Sequence, residues 1–254
     1  SVFQVGGNLG GSFGPLLMAL LVAPYGRHNI AYFAIVAFVA ILVMIPVCRW
    51  YKAYLRRVKW RPANAVRHAP MPLPHGRTFF AIAILLTLIF SKYIYMASLS
   101  SYYTFYLMHK FGVSVQQSQI FLFVFLLATA AGTLMGGPIG DRIGRKYVIW
   151  MSILGTAPFS ILMPHVSLAW TVVLSFCVGF MLSSAFPAIL LYAQELLPNK
   201  LGLISGLFFG FAFGIAGIAS AVLGDMADHY GIEAVYNICA YMPLLGLVTW
   251  FLPD

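Results

Sequence analysis

Apolar residues in this chain neither alternate with polar ones nor recur as a single stripe. They run on for about twenty residues or more, and polar residues gather in the short stretches between. Eight apolar stretches can be read, at about 2–23, 30–47, 78–107, 115–135, 146–163, 168–191, 201–223 and 234–252. About twenty helical residues, rising 1.5 Å each, cross a hydrocarbon core of about 30 Å. In lipid every backbone N–H and C=O must be bonded within the chain, which leaves helices or a closed barrel. Barrel strands would show about ten residues of alternating polarity, a pattern absent here. The expected fold is therefore an all-α polytopic membrane protein with eight transmembrane helices. One long polar stretch, 49–77, separates the second span from the third. It contains Pro62, Pro70, Pro72 and Pro74 and is predicted to be a semi-extended linker.

Composition supports the lipid reading. Only 8% of residues are charged, against about a quarter in soluble domains, too few to cover a surface facing water. The net charge of +9 would suit nucleic acid if it formed a basic face, but its distribution excludes that partner. Of fifteen Lys and Arg, eight lie in 49–77, three are Arg142, Arg145 and Lys146, and Lys200 falls on the same side of the predicted topology. Basic loops mark the cytoplasmic side, so linker 49–77 and loop 136–146 are expected there, the linker against anionic headgroups of the bilayer. Cys48, Cys177 and Cys239 sit far apart in apolar sequence and have neither metal-ligand nor redox spacing. There is no phosphate loop, buried acid pair or nucleophile constellation. The chain is expected to be no enzyme and to hold no metal or cofactor.

Lys92 is the sharpest single residue. It lies about 21 Å along its helix from Thr78 at 1.5 Å per residue, past the middle of the bilayer. A lysine there costs about 2.5–3.5 kcal/mol on insertion scales and usually faces a cavity or partner. Tyr95, Tyr102, Tyr103 and Tyr106 fall on or beside its face, and a cation flanked by phenols suits an anionic or amphipathic solute. The other reading is snorkelling to the outer interface, with the tyrosines as an aromatic belt. Gln4 and Asn8, one turn apart in the first span, can line the same cavity or bond between helices. No acid lies deep in any span.

Glycines at four-residue spacing, Gly6, Gly10 and Gly14 and again Gly206, Gly210 and Gly214, predict faces for close helix packing, with a kink at Pro15. The two ladders superpose at an offset of about 200 residues, six spans apart, the period of two parallel six-helix halves. The block Gly137-Pro-Ile-Gly140-Asp141-Arg142-Ile-Gly144-Arg145-Lys146 is a dense charged turn between apolar spans. Its spacing resembles the loop signature of the major facilitator superfamily. Glu195-Leu-Leu-Pro198-x-Lys200-x-Gly202 resembles the superfamily's acidic motif, and Gly10-x-x-x-Gly14-Pro15 the fifth-helix motif of its drug–proton antiporters, although Ala19 and Leu20 stand where that motif ends in glycines.

Stretches around Lys92 and from Gln194 to Gly214 resemble drug-efflux members of the superfamily. That resemblance implies a secondary exporter of a small anionic or amphipathic drug, a phosphonate antibiotic, driven by the proton gradient in a bacterial inner membrane. It also implies a conformational latch built from Gly137, Asp141, Arg142, Gly144, Arg145, Lys146 and Glu195, tying the motif to the other side of the bundle. The expected organisation is 1–48 as the last two helices of an N-terminal half, 49–77 as linker, and 78–254 as a complete C-terminal half. Four earlier helices of the same protein would complete twelve. Two alternatives stay open: transport of another solute on this fold, and a truncated, non-transporting membrane or interaction protein.

Overall fold

The computed structural model of the chain describes residues 2–24, 26, 30–31, 33–58, 75–197 and 200–252. Pro62, Pro70, Pro72, Pro74 and Pro198 lie outside them. Among the described residues there is no strand, and eight helical segments are long and apolar enough to cross a membrane.

Helix α1 (Val2–Leu17) contains Pro15, which has no N–H to give the preceding turn. Just beyond it the helix widens to a π-turn, Met18–Val22, where the Ala23 N–H reaches the Met18 carbonyl at 3.0 Å. Helix α2 (Phe33–Val58) runs well past the expected end at 47. Residues 49–58, assigned above to the extended linker, are helical, because they contain neither Gly nor Pro and consist largely of residues that propagate a helix. Residues 34–56 are exposed along the whole helix.

Helix α3 (His75–Phe111) is 37 residues long and stops where Gly112 adopts φ +65°. Helix α4 (Val115–Ile143) opens with a reciprocal cap: the Gln117 N–H donates to Ser114 Oγ at 3.2 Å, and the Ser114 N–H to Gln117 Oε1 at 3.4 Å. The glycine and charge block was expected to be a turn from 136 onward. It is instead the last two turns of α4, with Gly137, Pro138, Gly140 and Asp141 all helical. The chain turns at Gly144 alone, whose φ of +101° disfavours a side chain.

The fifth span comes in pieces: α5 (Arg145–Ile153), a 3-10 turn over Leu154–Thr156, α6 (Ala157–Leu162) and a second 3-10 turn over Met163–His165. Pro158 and Pro164 each remove a backbone donor at these junctions. Helices α7 (Leu168–Leu196) and α8 (Leu201–Tyr230) are continuous. The last span was expected to be one helix. It is α9 (Ile232–Cys239), a turn at 240–241, and a 3-10 helix from Met242 to Phe251, broken ahead of Pro243. Carbonyls beside a break must find donors in lipid. Ser160 donates to the Ala240 carbonyl at 2.7 Å and Ser91 to the Met242 carbonyl at 2.5 Å.

Helix α4 packs between α1 and α7, α3 packs on α8, and α5 packs on α7. The core between α3, α4 and α7 contains Leu85, Leu88, Ile89, Phe125, Val178, Leu182, Phe186 and Ile189, all fully buried. The predicted packing glycines are not what holds it. Among the described residues nothing lies within 4 Å of a Cβ built at Gly6, Gly10, Gly14, Gly206, Gly210 or Gly214. Close approach occurs where α4 crosses α7. A Cβ at Gly132 would lie 1.9 Å from the Phe180 carbonyl oxygen, and one at Gly136 would lie 2.6 Å from that of Ser184. Gly179 faces Phe125 in the same crossing. The physical reason is burial: α4 sits between two described helices, whereas the glycine ladders of α1 and α8 meet none of the described residues.

Candidate functional site

Lys92 stands next to the midpoint of α3 and is 4% exposed. Its ammonium lies 5.3 Å from the ring centre of Tyr93 and 5.2 Å from that of Phe186, contacts worth about 0.5–2 kcal/mol. Among the described residues it forms no hydrogen bond and no ion pair. Ring faces alone do not replace the hydration of a buried cation. Lys92 does not reach for the end of its helix. It forms part of the wall of a cavity of about 930 Å³ bounded by α1, α3, α4, α7 and α8.

The other polar groups on that wall are Gln4, Asn8, Thr133 and Ser183. Asn8 Nδ2 donates to Thr133 Oγ1 at 2.8 Å, and Thr133 donates to the Thr129 carbonyl at 2.8 Å. That chain of bonds ties α1 to α4. Tyr93, Phe186, Phe209 and Phe213 form a run of ring contacts beside the ammonium, with centroids 5.2–6.4 Å apart. The cavity thus offers one unpaired cation, several amides and hydroxyls, and an aromatic wall. A second cavity of about 460 Å³ adjoins it, sharing Gln4 and Phe209, and reaches Asp141, Arg145 and Gln194. Polar surface therefore continues from the middle of the bundle to the charged end of α4.

Of the candidates read from sequence, Lys92, Gln4 and Asn8 are brought together. Tyr95, Tyr102 and Tyr103 are not on this cavity. Tyr95 is turned toward Ser160 and Cys239. Tyr102 donates to the Ser220 carbonyl of α8 at 2.5 Å, and buried Tyr103 donates to Ser175 Oγ at 3.0 Å. Tyr103 does share the Lys92 face, but eleven residues later it is about 16 Å further along the axis, where α4 and α7 have closed on α3. Tyr93 and Met96, the next residue and the next turn, are the lining residues on α3.

At the charged end, Arg145 Nη1 pairs with Glu195 Oε2, joining the first residue of α5 to the last turn of α7. The pair joins two neighbouring helices, with Glu195 the partner expected for the motif, rather than reaching across the bundle. Asp141 lies beside Arg145 and makes no ion pair among the described residues. Arg142 is exposed, and Lys146 borders a groove with Tyr147, Trp150 and Trp250. Thr133, Ser183, Phe209 and Phe213 were missed from sequence. Only the i,i+4 spacing of the two phenylalanines hinted at a shared face.

Residues 84–254 match the sequence profile of the Major Facilitator Superfamily. The whole chain is 59% identical to the fosmidomycin resistance protein of Escherichia coli (strain K12) and 35% identical to an MFS-type transporter of Bacillus subtilis (strain 168). It spans 62% of the length of each. About half of it, 51%, is 30% identical to a 4-hydroxybenzoate transporter of Pseudomonas putida, covering 30% of that protein. No solved structure matches the chain. With eight apolar helices and bacterial transporters as its relatives, it is a multi-pass protein of the bacterial inner membrane. The profile covers most of the chain and its charged motif, and the chain belongs to the Major Facilitator Superfamily.

Proposed function

We propose that the protein containing this chain exports a small anionic drug, a fosmidomycin-like phosphonate, by proton antiport and alternating access. The observation that carries this reading is Lys92, a buried cation with no carboxylate partner among the described residues, on a cavity large enough for such a solute. The similarity to a fosmidomycin resistance protein supports it. In this reading residues 1–48 are the last two helices of the first half and 78–254 form the second half. Four further helices of the same protein complete twelve, in keeping with the greater length of the relatives. The basic segments 49–77 and 136–146 face the cytoplasm. Inverted vesicles carrying the complete transporter are expected to accumulate labelled fosmidomycin when their interior is acid and to lose it on addition of a protonophore. Accumulation indifferent to the gradient would remove the antiport claim.

A second reading draws on the aromatic wall. Phe209, Phe213 and Tyr93 beside Lys92 suit an aromatic carboxylate, and one partial relative carries 4-hydroxybenzoate. Stronger competition by 4-hydroxybenzoate than by fosmidomycin in the same vesicles would favour it.

The Arg145–Glu195 pair is proposed to bias one side-open state. Its side chains are 20% and 31% exposed, between a solvated pair worth about 0–1 kcal/mol and a buried one whose loss costs about 3–5 kcal/mol, and glutamine keeps an oxygen for Arg145. Glu195→Gln is expected to change the melting temperature little while altering transport flux severalfold, because the pair would act on the equilibrium between states. A large drop in melting temperature with unaltered flux would make it a structural contact instead.

A further inference from the structure

Hydroxyls buried in membrane helices ordinarily bond back to a carbonyl three or four residues earlier. In α7 of this protein Thr171, Ser175 and Ser184 all do so, at 2.7–3.0 Å. Ser183 does not. It is 3% exposed, and its Oγ has no hydrogen-bond partner among the described residues. Burying a hydroxyl without a partner is costly, and in this protein the orphan lies on the wall of the Lys92 cavity. Phe186, whose ring carries the Lys92 ammonium at 5.2 Å, is three residues from Ser183 and so on the same face of α7. Two unsatisfied groups, a cation from α3 and a hydroxyl from α7, thus flank one space. Thr133, by contrast, is already engaged as both donor and acceptor.

We infer that Lys92 and Ser183 form a headgroup subsite for the oxyanion end of the solute, the ammonium supplying charge and the Ser183 hydroxyl a directed hydrogen bond. Phe209 and Phe213 are left to receive the carbon portion. This deepens the export reading and rests on it for the identity of the drug, although the subsite itself requires only a phosphonate-like anion. Ser183 acts as a specificity residue: lysine attracts any anion, whereas a fixed donor favours one with an oxygen at a set position.

The test is equilibrium binding to the complete, detergent-purified transporter. Ser183→Ala is expected to weaken fosmidomycin by about tenfold or more, the range of a hydrogen bond to a charged group. It should leave binding of the analogue that lacks the phosphonate group unchanged. Ser183→Thr, which restores a hydroxyl, should recover most of the affinity, and in flux assays the loss should fall on KM rather than kcat. Equal weakening of fosmidomycin and of the analogue without the phosphonate would assign Ser183 to packing and overturn the inference, as would wild-type affinity in Ser183→Ala. If the wild-type protein fails to bind fosmidomycin, the export reading is lost, and methylphosphonate becomes the probe. Methylphosphonate binding that depends on Ser183 would still support the subsite, and no such dependence for either ligand would refute it.

Discussion

Lys92→Ala in the complete transporter is expected to return host cells to nearly the fosmidomycin sensitivity of cells lacking it, at equal membrane abundance. Two effects separate in this variant. Removing a lysine from the middle of a span relieves about 2.5–3.5 kcal/mol of insertion cost, so insertion and folding should hold or improve. Removing the one described cation on the cavity wall leaves an anion to be desolvated against amides, hydroxyls and phenyl rings. Losing a charge-assisted contact in a low-dielectric site weakens binding by about 1.5–3 kcal/mol, or roughly ten- to a hundredfold. Lys92→Arg keeps the charge and should keep part of the tolerance, although the larger guanidinium carries its charge to a different place beside Tyr93 and Phe186. Side-by-side minimal inhibitory concentrations and immunoblots of membrane fractions check this result.

The second large effect is structural. Gly132→Leu is expected to abolish stable assembly. Even the Cβ would lie 1.9 Å from the Phe180 carbonyl oxygen and 2.7 Å from its carbonyl carbon, both backbone atoms of α7. No rotamer change relieves a backbone clash, so α4 and α7 must part. That opens the contact between Phe125 and Gly179 and the whole core beneath it. Overpacking typically costs about 1–3 kcal/mol where side chains can yield, and here they cannot. Gly155→Ala is the contrast. Its Cβ would meet only the Met181 Cε at 2.8 Å, the end of a flexible chain that can move aside. Thermal melts in detergent should therefore show Gly132→Leu unfolded or aggregated and Gly155→Ala close to wild type.

These two residues also mark what could and could not be read from the sequence. Membrane class, span number and the choice of Lys92 as a candidate rest on hydropathy and on the rarity of charge in lipid, which are local properties of the chain. The superfamily was legible in the charged block, yet its conformation was not: α4 runs on through Pro138 to Ile143, and only Gly144 turns. Glycine spacing found ladders, but whether a ladder is a contact depends on which helix lies opposite. Gly132 and Gly136 have the same spacing as Gly6 and Gly10, and among the described residues only the first pair meets a neighbour. The tyrosines failed for a related reason. Helical phase placed Tyr103 on the Lys92 face, but phase says nothing about depth, and the cavity ends before that turn. Ser183 had no sequence signal, since an unsatisfied hydroxyl is visible only once its neighbours are in place.

The central claim is that the Lys92 cavity takes an anionic solute and carries it across the bilayer. Its most direct test is counterflow in proteoliposomes: vesicles loaded with unlabelled fosmidomycin and diluted into a trace of the labelled drug, with no imposed gradient. This reads binding and alternation alone. The account predicts transient accumulation of label for the wild-type transporter, partial accumulation for Lys92→Arg and none for Lys92→Ala. Accumulation by Lys92→Ala at the wild-type rate would contradict it.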